Sequence, residues 1–281
     1  MIAAMLSGRS LFVTVITAAA LLTAAPSAVA EYGRSGPYLD YLSEPSFSPS
    51  GALPKSHYSF GDYYTPIVVA QYGLKAHADY VATHKRKYRR DVRLAARWLV
   101  RHQADDGGWH YPFPWTVRGF EPIPAGWISA MGQGQAMSLL WRAWQLERRP
   151  AYRRAARLAV RPFRRTVAQG GVKASWDGAI WFEEYPTSEP SLVLNGYMFG
   201  LVGLYDVAPW SRRAARLYRR GVRTLRNRIA SFDRPGGTWY MPNVEASRYY
   251  HGVHVMLLTA IASVSPSDTL LMYRNKWWAI H

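Results

Sequence analysis

Along the chain, apolar positions recur with helical rather than strand spacing. Val92, Ala95, Ala96 and Leu99 follow an i, i+3, i+4, i+7 pattern, and so do Ala156, Ala159, Val160 and Phe163. A third stripe runs through Tyr218, Val222, Leu225 and Ile229. Each stripe belongs to a basic segment: Tyr88-Arg-Arg-Asp-Val-Arg-Leu-Ala-Ala-Arg, Tyr152-Arg-Arg-Ala-Ala-Arg-Leu-Ala-Val and Ser211-Arg-Arg-Ala-Ala-Arg-Leu-Tyr-Arg-Arg. The segments resemble one another and lie roughly sixty residues apart, as repeated helical hairpins do. Between them fall more apolar segments, 128–146, 192–205 and 252–262. This alternation predicts a mainly α fold: an (α/α) toroid, or incomplete α/α barrel, with basic helices outside and apolar helices inside. Gly236 to Tyr240 reads as a short hairpin or turn. Residues 31–62, rich in Gly, Pro, Ser and Tyr, read as an extended arm lying on a domain that spans 63–281.

The first thirty residues break this pattern. Arg9 is their only charge, Leu11 to Leu22 is mostly apolar, and Ala28-Val29-Ala30 is a small-x-small cleavage site before Glu31. They read as a signal peptide of a secreted protein, with an uncleaved anchor as the competing reading. No later segment is long and apolar enough to span a bilayer. The chain has no cysteine, which excludes disulfides and thiolate zinc sites, so packing must hold the fold. Lys and Arg number 35 against 18 Asp and Glu, a formal charge of +17. Such a charge calls for an anionic partner: nucleic acid, anionic lipid or an acidic polysaccharide. Export argues against nucleic acid, as does the recurrence of the arginines on successive helices rather than in one stripe. For most of these arginines a solvated outer face is the plainer reading. Twelve Trp and 19 Tyr favour sugars, since flat rings stack on pyranose faces, although aromatics also fill cores.

The chemistry concentrates between Trp181 and Asp206. Glu183, Glu184 and Tyr185 stand directly before Pro186, and Asn195-Gly196 interrupts an apolar run. A site that moves protons on a polar substrate needs such a cluster; an acidic helix N-terminus with Tyr as filler is the bland alternative. The suspicious loops, 107–109, 118–127, 181–186 and 236–254, all precede or open inner helices and would line one cleft. His251 and His254 share a helix face after Tyr249 and Tyr250. With no third ligand at a recognisable spacing, a carboxylate-contacting or structural role is preferred to a metal. Gln133 and Gln135, in an apolar helix, either bond sugar hydroxyls or cap backbone. There is no phosphate loop, dinucleotide fingerprint or nucleophile elbow. Nothing in the sequence demands a metal or an organic cofactor.

Several of these segments together resemble the C-terminal catalytic domain of the D-glucuronyl C5-epimerases, which act on heparosan and heparan sulfate precursors. The resemblance is carried by Tyr64-Thr-Pro-Ile-Val-Val-Ala-Gln-Tyr-Gly-Leu, Gly107-Gly-Trp, Gly126-Trp-Ile-Ser-Ala-Met-Gly-Gln-Gly-Gln-Ala, Trp181-Phe-Glu-Glu-Tyr-Pro, Val193-Leu-Asn-Gly-Tyr-Met, Leu204-Tyr-Asp and Tyr250-His-Gly-Val-His. It runs from about Asp62 to Leu258 in order. It implies catalytic tyrosines at Tyr185, Tyr240 and Tyr250, an acid at Glu184 and a substrate-binding asparagine at Asn195. The sequence departs from the family at Phe199, where a tyrosine is expected, and at Asn243, where an arginine is. It is not expected to carry the β-rich N-terminal domain of the animal enzymes.

Inverting C5 of a hexuronate means removing a proton alpha to a carboxylate and returning one to the opposite face. Tyr185 and Tyr250 are expected to flank C5, Tyr240 to tune one of them or hold the carboxylate, and Glu184 to orient the site or relay a proton. Surrounding positive charge is expected to lower a tyrosine's pKa. Arg118, Arg248, His251 and His254, with Tyr249, Gln133 and Gln135, complete the expected substrate contacts. The expected partner is an acidic, glucuronate-containing polysaccharide, with no nucleic acid, no membrane span after leader cleavage, and room for a homodimer. Two other readings stay open: a uronate polysaccharide lyase and a non-catalytic glycan-binding protein.

Overall fold

A computed structural model describes residues 31–39 and 52–280. The leader, 1–30, lies outside the described residues. Four helical hairpins build the domain: α1 (Pro66–Thr83) with α2 (Arg86–His102), α3 (Ala130–Glu147) with α4 (Pro150–Leu158), α5 (Leu194–Val207) with α6 (Arg212–Arg228), and α7 (Arg248–Val264) with α8 (Asp268–Trp278). Helices α1, α3, α5 and α7 pack side by side in that order and run parallel; each is backed by the outer helix that follows it. This is the incomplete (α/α) toroid. The expected inner and outer segments fall on these helices. Among the described residues no helix is long and apolar enough to cross a membrane.

The two rings follow from composition. On α2, α4 and α6 the apolar stripe is buried and the arginines face solvent, whereas α3 and α5 are buried on nearly every side. Helices α3 and α5 approach most closely at glycines. A Cβ on Gly134 would lie 2.2 Å from the Phe199 carbonyl oxygen, and one on Gly203 would lie 2.3 Å from that of Gly134. Gly134→Ala is therefore expected to destabilise the domain by about 1–3 kcal/mol or more, because backbone rather than a side-chain tip must move. Thermal unfolding checks this; an unchanged melting temperature would contradict the close contact.

Short antiparallel hairpins decorate the end of the toroid where the inner helices begin. They are β1 (Ser56–Tyr58) with β2 (Gly61–Tyr63), β3 (Lys173–Trp176) with β4 (Ala179–Phe182), and β6 (Gly237–Met241) between β5 (Asp233–Arg234) and β7 (Val244–Glu245). The first lies within the predicted extended arm. The second turns at Asp177-Gly178, both at positive φ, so Trp181 and Phe182 sit in a strand rather than a loop. The third is the predicted 236–240 hairpin. It turns at Asn243, φ 62°, a conformation asparagine tolerates better than arginine.

The opposite end is closed by the start of the arm. Tyr32 and Tyr38 are buried, and the backbone N–H of Tyr32 donates to Ser263 Oγ at 2.9 Å. Arg142, near the end of α3, donates through Nη1 to Asp206 Oδ2 of α5 at 2.9 Å, and both side chains are fully buried. The Tyr32 hydroxyl donates to the same oxygen at 2.9 Å and accepts from Arg142 Nη2 at 3.0 Å. The carbonyls of Gly33, Gly36 and Ser138 take the remaining guanidinium bonds.

Candidate active site

The site is built where β4 ends and α5 begins. Val193, at the N-cap position of α5, has no side-chain acceptor for the first turn. Glu184 supplies one: its carboxylate accepts from the backbone N–H of Gly196, and its Oε2 accepts from Asn195 Nδ2 at 3.1 Å. This approach requires glycine, since a Cβ on Gly196 would lie 2.4 Å from Glu184 Oε2. The Asn195-Gly196 pair is thus the first turn of the helix rather than a break within it. Glu184 is 4% exposed, and burial pushes its carboxyl up from the ordinary 4.5 to about 7, against the opposing bonds from Tyr185, Asn195 and Gly196.

Tyr185 donates its hydroxyl to the Glu184 carboxylate and is also hydrogen-bonded to Tyr240 of β6, which is bonded in turn to Asn195. The Tyr240 ring lies 4.8 Å from that of Tyr250, in the first turn of α7. Three hairpins of the toroid thus bring three phenols, a carboxylate and an amide into one row. Tyr250 is 38% exposed and marks its solvent side, beside Tyr249 at 5.3 Å between ring centroids. The expectation of a lowered tyrosine pKa is corrected here. Burial pushes Tyr185, Tyr240 and Tyr250 up, and the charge of Glu184 adds to the effect on each. The free site holds neutral phenols, and the group poised near neutrality is Glu184.

Other predicted residues are placed differently. Glu183, also fully buried, accepts from Ser191 Oγ at 2.5 Å and from the backbone N–H of Leu192 at 3.2 Å, fixing the loop before α5. Burial raises its carboxyl to about 7. The two histidines lie behind the hairpin. His251 Nε2 donates to the Trp277 carbonyl at 3.1 Å, so its Nδ1 accepts from Thr238 Oγ1 at 3.2 Å. Thr238 Oγ1 then accepts from His254 Nδ1 at 2.8 Å. His254 is fully buried, and burial followed by His251 lowers its pKa to about 3. Both rings fasten β6 to α7 and α8, and burial holds His254 uncharged. Gln133 is likewise structural: it accepts from Trp109 N at 3.0 Å and donates to the Gly107 and Ala159 carbonyls at 3.1 and 3.2 Å. Gln135 is fully buried in α3. Arg118 and Arg248 are exposed, the former in the 117–120 turn and the latter two residues before Tyr250. Phe199 is packed in the main core, away from solvent.

An aromatic wall faces Tyr185. Trp115 stacks on it at 6.3 Å and 16°, Trp127 lies 6.0 Å away, and Tyr111 stacks on Trp127 at 3.9 Å. Phe113, Tyr58 and Tyr63 continue the wall. Of these only Trp127 stood out in the sequence. The signal for the rest is the alternation Tyr111, Phe113, Trp115, which puts three rings on one side of an extended segment. The row of phenols, backed by a carboxylate and faced by flat rings, can hold a sugar and move protons beside it. Among the described residues no cluster of three or more His, Cys, Asp and Glu is placed to hold a metal ion.

Comparison with known proteins gives this arrangement a family. The D-glucuronyl C5-epimerase C-terminus family model matches residues 102–279. A D-glucuronyl C5-epimerase of Caenorhabditis elegans is 35% identical over 207 residues, 65% of this chain and 33% of that protein. The chain thus spans about a third of the nematode relative's length. An uncharacterized protein of Methanocaldococcus jannaschii is 22% identical over 178 residues, 60% of this chain and 56% of that one. A solved structure of UGL with dGlcA-Glc-Rha-Glc is similar at a TM-score of 0.48 and 18% identity, over 76% of this chain and 59% of that one. The match over 102–279 takes in Glu184 and all three tyrosines, and the chain belongs to the D-glucuronyl C5-epimerase family, whose C-terminal domain it carries.

Proposed function

We propose that this protein inverts C5 of D-glucuronate residues to L-iduronate within an acidic polysaccharide of the GlcA–GlcN type. The observation that carries the reading is the convergence of Tyr185, Tyr240 and Tyr250 on Glu184 and Asn195. In this mechanism Tyr185 and Tyr250 flank C5. Tyr185 takes the C5 proton as it passes its own phenolic proton to Glu184. The phenol therefore never has to exist as a free phenolate, which its burial opposes. The electron pair left by the C–H bond delocalises into the sugar carboxylate, which Arg118 and Arg248 at the rim would face. Tyr250 gives its proton to the opposite face of C5; the site resets as Glu184 gives up the proton it took and the Tyr250 phenolate, open to solvent, gains one. The reverse direction exchanges the roles. Tyr240 and Asn195 hold the two ends of the row in register.

The test is incubation with N-sulfated heparosan in D2O, with deuterium at C5 and iduronate followed by NMR. Incorporation with iduronate supports the reading. An ultraviolet-absorbing unsaturated product, or binding with no exchange, overturns it.

The mechanism sets a pH dependence. Glu184 must be ionised to receive the phenolic proton, so turnover should rise with pH through about 7 and fall away on the acid side. Stability should run the other way. Glu183 and Glu184 have folded-state pKa values of about 7, above the ordinary 4.5. The stability linked to their protonated forms is therefore full below about 4.5 and is lost as pH rises through about 7. Initial rates and melting temperatures measured from pH 5 to 8.5 should move in opposite directions. A rate that does not change between pH 6 and 8 would contradict Glu184 as the acceptor.

A further inference from the structure

On the outer ring a cleft of about 280 Å3, lined by none of the three tyrosines, opens between α4 and the start of α6. Arg154, Arg157, Arg161, Arg164 and Arg213 line it, and among the described residues no carboxylate does. All five arginines are exposed. Four of them recur three or four residues apart, so the helical period gathers them on one side of α4 and the turn beyond it. Arg161 is anchored by a 2.8 Å bond from Nη1 to the Asp105 carbonyl. A face that only kept the protein soluble would intersperse carboxylates, because like charges at this spacing destabilise a helix.

A second observation adjoins the cleft. Trp210 immediately precedes Ser211, which also lines it. Its half-buried ring packs on Trp141 at 4.2 Å and meets Trp144 at 5.0 Å, with the Arg153 guanidinium 5.7 Å from its centroid. Guanidinium forks pair with carboxylate or sulfate in a bidentate manner, and a tryptophan edge or face takes the apolar side of a pyranose. Among the described residues no exposed large hydrophobic borders the cleft, as insertion into a lipid surface would require.

We propose that this cleft is a second binding site for the acidic polysaccharide, holding a distant stretch of the chain whose uronate is processed at the tyrosines. The assignment rests on the substrate class proposed above. It gives five of the outer-ring arginines a ligand, where the sequence alone reads most of them as a solvated face.

The test uses the full chain and the variant Arg154→Ala/Arg157→Ala/Arg213→Ala, whose sites are exposed. Calorimetry measures binding of heparosan polymer and of a heparosan tetrasaccharide, with melting temperature as the folding control. The variant should bind the polymer about tenfold more weakly and with a shallower salt dependence. Tetrasaccharide affinity and kcat should not change, while KM for the polymer rises. Unchanged polymer affinity would overturn the proposal. So would an equal loss for the tetrasaccharide, or an equal or larger loss for phosphatidylserine vesicles or single-stranded DNA. Polymer binding that depends on these arginines without any C5 exchange would leave this site standing and remove the catalytic reading instead.

Discussion

Tyr185→Phe is expected to lower C5 hydrogen exchange by about 10²–10⁴-fold, the range associated with a positioned acid or base. The reason is the chain of bonds through its hydroxyl. In the proposed mechanism that oxygen faces the reacting carbon; it donates to Glu184 and is bonded to Tyr240, so its loss would remove the proton carrier and disconnect the carboxylate behind it. The fold should survive. The phenylalanine ring keeps the stacking on Trp115, and the site lies at the rim of the toroid rather than in its main core. Loss of the Tyr185 bond also removes one of the interactions that favour ionised Glu184, so any residual activity should require higher pH. Single-turnover exchange in D2O with NMR readout separates this from a binding defect. Activity within threefold of the parent, in a folded variant, would remove Tyr185 from the chemistry.

Arg142→Leu should produce the largest loss of stability, with the chemistry of the surviving folded molecules unchanged. Arg142 and Asp206 are fully buried, and removing the guanidinium leaves the buried carboxylate with the Tyr32 and Ser138 hydroxyls but no opposite charge beside it. Breaking such a pair from one side costs about 3–5 kcal/mol. At ~2–4 °C per kcal/mol for a domain of this size, the melting temperature should fall by roughly 6–20 °C. Asp206 lies eleven residues beyond Asn195 on α5, some 16 Å along the helix, so kcat per folded molecule should hold. Adding Asp206→Leu should restore much of the lost stability, because an apolar pair no longer strands a charge. A single variant that melts within 2 °C of the parent would show that the pair does not hold the arm and the α3 and α5 ends together.

The helical part of this fold was legible because its signals are periodic. Arginine faces on α2, α4 and α6 and apolar surroundings on α3 and α5 are what separate the rings. The hairpin at 173–182 was missed although Asp177-Gly178 is a strong turn signal, because the apolar Ala179-Ile180-Trp181-Phe182 run looks no different in a strand or a buried helix. Within the site, Glu184, Tyr185 and Asn195 could be found together because they lie close in sequence. Tyr240 and Tyr250 join them only through packing of separate hairpins, and it was the family resemblance that pointed to them. For His251 and His254 the sequence left a carboxylate-contacting and a structural role open. Their spacing puts both on one helix face, but the sequence does not say that Thr238 and Trp277 occupy that face. The phenol pKa values were misjudged because net charge is a property of the whole chain, whereas burial and Glu184 act locally.

The inner helices α1, α3, α5 and α7 all begin at the end where the tyrosines lie. Each helix start presents the equivalent of about half a positive charge from its backbone dipoles, falling off within the first turn. At α5 that partial charge is met by the Glu184 carboxylate, whereas the starts of α1, α3 and α7 are capped by the Thr65, Ser129 and Ser247 hydroxyls, which do not titrate. Acidification or alkalinisation within the folded range therefore leaves three of the four dipole ends unchanged. It changes the protonation of Glu183 and Glu184, so the fixed polarity of the ring and its proton inventory are governed by separate physical parts.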